Sequence, residues 1–205
     1  TRKEPTMPHY LILRLDGPMQ AWGTHTFEDF RPTNLFPTRS GLLGLLGACL
    51  GIGRDDHVEL EKLAVSVAFT VRVDTDVLRP EWKNPMKKPA IRLSDFHTVL
   101  DARKVDGTAN KNAIISHRDY LFDAAFTVAI GEKPNAPLTL TTIAKALRHP
   151  YFTPVLGRRS CPITRPLLDG APVEASDAKV ALDSAVPVGG IIYSEDLVSG
   201  QPLWI

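Results

Sequence analysis

Lys111, His117 and Tyr120 fall in one short stretch and carry groups that metal-free RNA cleavage can use. That reaction needs one side chain to take the proton of a ribose 2′-OH and another to protonate the leaving oxygen. The competing reading has His117 stacked on a base or simply solvated. A wider set of residues suits holding RNA instead. Met19, Gln20 and Trp22 follow the first hydrophobic segment, Arg39 and Ser40 stand where a helix should begin, and Arg158, Arg159 and Ser160 follow a glycine. Arginine and lysine pair with phosphates, planar side chains stack on splayed bases, and a helix N-terminus offers free amides to a phosphate. Arg103, Lys104, Lys111 and Arg118 add cations in a segment poor in apolar periodicity. Trp22 has an equal claim as a core residue, because so large a ring is usually mostly buried.

Other chemistries lack their residues. No P-loop, dinucleotide fingerprint, zinc-protease helix or nucleophile elbow occurs. The acidic pairs Glu28-Asp29, Asp55-Asp56 and Glu195-Asp196 read as solvated turn residues, since adjacent carboxylates in a strand point apart. Cys49 and Cys161 share no metal-ligand spacing, so they read as two apolar thiols of a reducing, cytoplasmic compartment. No metal and no cofactor are expected.

The elements that must position these residues belong to a chain of 205 residues, 43% hydrophobic and 23% charged, enough for a full core. Its net charge of +1 hides an asymmetry. Residues 79–118 hold nine basic and four acidic side chains, whereas the rest hold 15 basic and 19 acidic. The basic segment reads as a projecting hairpin, which suits a polyanion where the average does not. The longest apolar stretch, 41–52, is too short to span a bilayer and carries four glycines. The charged residues before Met7 precede no apolar run, so no secretory signal is expected and Met7 reads as the natural start.

Alternation predicts strands over Tyr10–Leu15, Val65–Asp74 and Ala124–Gly131, with a further short one over Thr153–Leu156. Ser40 is the expected N-cap of a helix that reaches Leu50, and Gly41, Gly44 and Gly47 on one ridge predict close packing there. Leu140, Ile143, Ala144 and Leu147 mark an amphipathic helix, and Gly189-Gly190 a hairpin. The order strand, helix, strand, arm, strand, helix, strand predicts an α+β, ferredoxin-like core over 9–162. The 79–118 insertion interrupts it, and a β-rich segment over 163–205 follows.

Three motifs resemble a known family: Leu11 to Gly23 (LILRLDGPMQAWG), Phe36 to Gly51 (FPTRSGLLGLLGACLG) and Leu156 to Pro162 (LGRRSCP). They resemble the CasD family of type I-E CRISPR Cascade subunits, and the likeness extends over nearly the whole chain. The resemblance implies a RAMP-type, RRM-like fold with a thumb hairpin. It also implies a non-catalytic role in antiviral defence, holding the 5′ handle of the crRNA between core and thumb. The implied partners are the crRNA, the backbone subunit CasC, the large subunit CasA and, through the complex, target DNA. Members of this family often continue beyond the last residue here. A type I-C relative cleaves repeat RNA itself, which keeps the Lys111, His117 and Tyr120 reading open.

Overall fold

A computed structural model describes residues 7–74, 91–185 and 190–194. Strand β1 (His9–Asp16) alternates as its sequence demands: Leu11, Leu13 and Leu15 enter one core and Ile12 another. Its register with β9 (Ala125–Glu132) is antiparallel, and β9 pairs antiparallel with β6 (Val67–Asp74). Val67, Phe69 and Val71 of β6 and Phe126, Val128 and Ile130 of β9 join the β1 leucines beneath α1 (Arg39–Leu50), α2 (His57–Ser66) and α3 (Leu140–Arg148). The full sheet runs β10 (Val173–Glu174), β1, β9, β6, β11 (Gly190–Ser194).

The opposite face of this sheet is covered too. Helix α4 (Ala178–Ala185) lays Ala181 and Leu182 on Ile12 and Ala129. Beneath it lies a buried polar row. The Arg72 guanidinium donates to Asp74 (2.8 Å), Thr127 (3.3 Å) and the Leu182 carbonyl (3.0 Å), and Thr127 donates to the other Asp74 oxygen (2.6 Å). Arg14, in register with Thr127, is 8% exposed, and among the described residues its guanidinium has no hydrogen bond or ion pair.

A second sheet is built on β8 (Ile114–Phe122). It pairs with β7 (Ile91–Val99) through nine antiparallel positions, and its other edge carries β2 (Met19–Gln20) and, in parallel, β4 (Phe30–Arg31). Two short strands, β3 (Trp22–Gly23) and β5 (Thr33–Asn34), pair antiparallel with each other. The expected basic arm therefore includes a regular hairpin that extends past Arg118 to Phe122. Residues 75–90, which carry Arg79, Lys83, Lys87 and Lys88, lie outside the described residues.

Four local expectations need correction. Thr38, not Ser40, caps α1: its hydroxyl accepts from the Gly41 amide at 3.2 Å, so Arg39 and Ser40 lie inside the first turn. The expected strand at Val65 begins two residues later, because α2 runs through Ser66; Asp56 caps that helix by accepting from the Glu59 amide at 3.1 Å. The stretch Thr153–Leu156 forms only a bridge, Val155 with Pro162, and the place beside β1 is taken by β10. The segment expected to be β-rich contains α4 among its described residues; the apolar spots Ala181 and Leu182 are what the sheet's second face needed. Of the expected hairpin around Gly189-Gly190, residues 186–189 lie outside the described residues, and Ile191-Ile192-Tyr193 pair with β6.

Candidate nucleic-acid interface

Two of the three sequence motifs are locked together at the end of β1. The Ala21 amide donates to the Leu156 carbonyl at 3.0 Å, and Thr164 donates through its amide to the Asp16 carbonyl at 3.1 Å. A Cβ on Gly17 would stand 2.7 Å from the Pro162 carbonyl oxygen, so only glycine permits this approach. Gln20 and Trp22 serve the junction rather than a ligand. Both are fully buried. The Gln20 amide nitrogen donates to the Leu15 carbonyl (3.2 Å) and the Ala124 carbonyl (2.6 Å), and its oxygen accepts from the Trp22 indole (3.1 Å). The Trp22 ring lies under Gly41, where a Cβ would come within 2.8 Å of it. The expectation that Gln20 and Trp22 meet RNA is corrected on this ground: neither presents an atom to solvent. Met19, half-buried, pairs with Phe122 on β8.

Arg158 is a clamp at the base of the hairpin. Its two terminal nitrogens donate to the carbonyls of Asp119 and Arg31, each at 2.7 Å, and its guanidinium lies 4.8 Å from the centre of the Tyr120 ring. This fork joins the 156–162 loop, β8 and β4. The Tyr120 hydroxyl is 3.4 Å from the Ser160 hydroxyl. Arg159 and Ser160 are exposed, and Arg159 has no ion pair among the described residues. Arg39 also turns inward, donating to the Ala64 carbonyl at 2.7 Å with its guanidinium 5.8 Å from the Phe69 ring centre. Ser40 stays exposed at the edge of a cleft of about 410 Å³ shared with Gly23, His25 and Arg39.

The remaining cations lie on the hairpin. Arg118 donates to Ser116 at 3.0 Å and stands opposite Arg31 across the β4–β8 pair. Arg92 forms an ion pair with Asp119. Arg103, Lys104 and Lys111 are exposed in the connection beyond Val99 and Ile114. Six strand residues at 3.3 Å each set that end roughly 20 Å from Tyr120. The structure thus brings Met19, Arg118, Arg158, Arg159 and Ser160 to one place, while Arg39 with Ser40, and the hairpin end, form two others.

The cleavage trio is not brought together. His117 and Tyr120 are three residues apart on one strand, so their side chains leave opposite faces. Tyr120 is 6% exposed, and Lys111 lies beyond the strand. His117 instead joins an aromatic row that sequence reasoning missed: it stacks on Phe30 at 5.1 Å between centroids and meets Phe96 edge-on at 5.4 Å. Arg31 is a second such residue: no alternation marks the sequence around it, so nothing there signals the short strand that sets it opposite Arg118. Among the described residues no group of His, Cys, Asp and Glu could hold a metal ion, and no helix is long and apolar enough to cross a membrane. Burial pushes the Cys49 thiol up to about 11 and raises that of Cys161 against the pull of Ser160 and Arg158.

The chain is 52% identical to the CRISPR system Cascade subunit CasD of Escherichia coli (strain K12) over 198 residues, which is 96% of this chain and 86% of that protein. A solved CRISPR RNA-guided surveillance complex contains a chain with 37% identity and a TM-score of 0.61; the match covers 78% of this chain and 61% of that one, so this chain spans about three fifths of its length. A crystal structure described as a Cas protein matches at 28% identity and a TM-score of 0.56, covering 84% of this chain and 69% of the other. The family model for CRISPR-associated protein Cas5 matches residues 10–200, and the chain belongs to that family.

Proposed function

We propose that this chain is a non-catalytic RNA-binding subunit of a type I-E CRISPR Cascade complex, holding the 5′ handle of the crRNA. The observation that carries this reading is the hairpin. Its far end presents Arg103, Lys104 and Lys111 exposed and without ion pairs among the described residues, on a chain 52% identical to a Cascade subunit. Unpaired cations on a projecting element have phosphates as their natural counterions. At the hairpin base, Arg118, Arg159 and Ser160 extend the same interface, and Ser40 offers a second contact at the start of α1.

The core is read as ferredoxin-like and the β7–β8 hairpin as its thumb. Support comes from the order β10-β1-β9-β6, with all neighbours antiparallel and helices between β1 and β6 and after β9. That is the arrangement a split βαβ unit takes. With both sheet faces covered by helices, RNA runs along the loops and hairpin and not across the central sheet. The partners on this reading are the crRNA, the backbone subunit CasC and the large subunit CasA, with target DNA reached through the complex in the cytoplasm.

Ultraviolet crosslinking of a reconstituted complex carrying crRNA tests the reading. Crosslinks from the handle to peptides that contain Lys104, Lys111 or Arg159 are expected; handle crosslinks confined to other subunits would overturn it. Incubating the chain with repeat RNA in EDTA tests the non-catalytic part. No 2′,3′-cyclic phosphate product is expected, and its appearance, lost in His117→Ala, would contradict that part.

A further inference from the structure

We propose that Phe30, His117 and Phe96 form a stacking platform for an unpaired base of the bound RNA. The proposal rests on the RNA-binding reading and gives it a site. The three residues occupy one row across three strands: Phe30 is in register with His117 on β8, and His117 with Phe96 on β7. Directly opposed residues share a face, so the three side chains stand together on one side of the sheet. Phe30 and His117 are stacked, at 15° from parallel, and Phe96 stands edge-on to the histidine at 65°, so a base can continue the stack on its outer face.

The fold goes out of its way to put Phe30 there. Glu28 adopts φ +47, a left-handed conformation that a residue with a side chain rarely takes. The turn it makes closes with the Phe30 amide on the Phe27 carbonyl at 2.8 Å, and the His117 amide donates to the Asp29 carbonyl at 2.9 Å. Together these fix the register that sets one ring on the other. The result is exposed: Phe30 is 57% accessible, Phe96 60% and the adjacent Phe27 72%. Single exposed apolar residues need no explanation, but a contiguous group of aromatic rings marks a binding surface.

The composition favours a base over a protein side chain as the occupant. The row is built of flat rings, whose faces suit any base, and beside it the carboxylate of Asp119 is paired with Arg92. The exposed cations of the hairpin end lie on the same element, so a strand held there by its phosphates passes within reach of the rings. Stacking adds affinity without releasing counterions. The platform and the cations therefore separate in their salt dependence.

The experiment places 2-aminopurine at each handle position in turn within the reconstituted complex. One position is expected to be quenched in the wild type. Phe30→Ala with Phe96→Ala should abolish that quenching and weaken crRNA retention roughly 10-fold, with the salt slope unchanged. Phe30→Leu with Phe96→Leu, which keeps apolar bulk, should lose the quenching as well, whereas Phe30→Tyr with Phe96→Tyr should keep it. Normal retention and an unaltered quenching pattern in the alanine and leucine variants would overturn the platform and leave RNA binding standing. Loss of subunit incorporation with an unaltered pattern would assign the rings to a protein neighbour and equally overturn it. If the wild-type complex holds crRNA without this chain touching the handle, the underlying reading fails instead.

Discussion

A Cβ placed on Gly157 would stand 1.7 Å from the carbonyl oxygen of Ala21, and Gly157 itself has φ +91. The loop that carries Arg158, Arg159 and Ser160 is thus pressed against the backbone just after β2, and the contact admits no side chain. Gly157→Ala is expected to cost about 3 kcal/mol or more, through overlap with backbone and left-handed strain together. In a chain of this size that is roughly 6 to 12 °C of thermal midpoint. Differential scanning calorimetry would measure it, and a change under about 1 kcal/mol would show that the loop can move away from Ala21.

Arg158 is expected to act through its shape as well as its charge. Its fork reaches the carbonyls of Asp119 and Arg31 while the plane lies over Tyr120, and a lysine ammonium cannot do all three. Arg158→Ala should destabilise the chain by about 2 kcal/mol, with Arg158→Lys recovering less than half. Chemical denaturation of the full chain decides this, and full recovery by lysine would refute the clamp.

Arg14 gives an expectation of the opposite sign. Among the described residues nothing accepts from the buried Arg14 Nη1, so its lost hydration is uncompensated there. Arg14→Met keeps the length of the stem and removes the charge, and should stabilise the isolated chain by about 1 to 3 kcal/mol. Loss of stability in that variant would mean that the guanidinium has an anionic partner in the folded chain.

The two cysteines should be inert until the chain unfolds. Cys49 and Cys161 are 2% and 0% exposed, and burial holds Cys49 protonated up to about 11 against an ordinary value of 9.0. Since the folded value is the higher one, this thiol's contribution to stability is complete below pH 9 and declines as pH rises through 11. A thiol reagent at pH 8 should find no reactive cysteine in the native chain and two in denaturant. Rapid native labelling would contradict the burial.

Much of this fold is legible in the sequence where local pattern and tertiary need agree. Leu11, Leu13 and Leu15 alternate in a strand with one face in the core, and Leu140, Ile143, Ala144 and Leu147 trace the buried stripe of α3. At the start of α1 the pattern is degenerate, because Thr38 and Ser40 are both good caps and only the backbone decides between them. Strand β10 is two residues long and too short for any periodicity to show. The site is less legible than the fold. Gln20 looks like a loop residue free to bind, yet its amide is taken by the carbonyls of Leu15 and Ala124, the second of them distant in sequence. The aromatic row is hidden for the same reason: nothing local indicates that β4 runs parallel to β8 and sets Phe30 on His117.

The central claim is that the hairpin end grips crRNA by its phosphates. The most direct measurement is the affinity of the reconstituted complex for crRNA as a function of salt, with the wild-type chain and with Arg103→Ala, Lys104→Ala and Lys111→Ala combined. If each cation meets one phosphate of a single strand, the triple variant binds more weakly at every salt concentration. Its plot of log affinity against log salt is then shallower by about 2. Equal affinity and an identical slope would contradict the account.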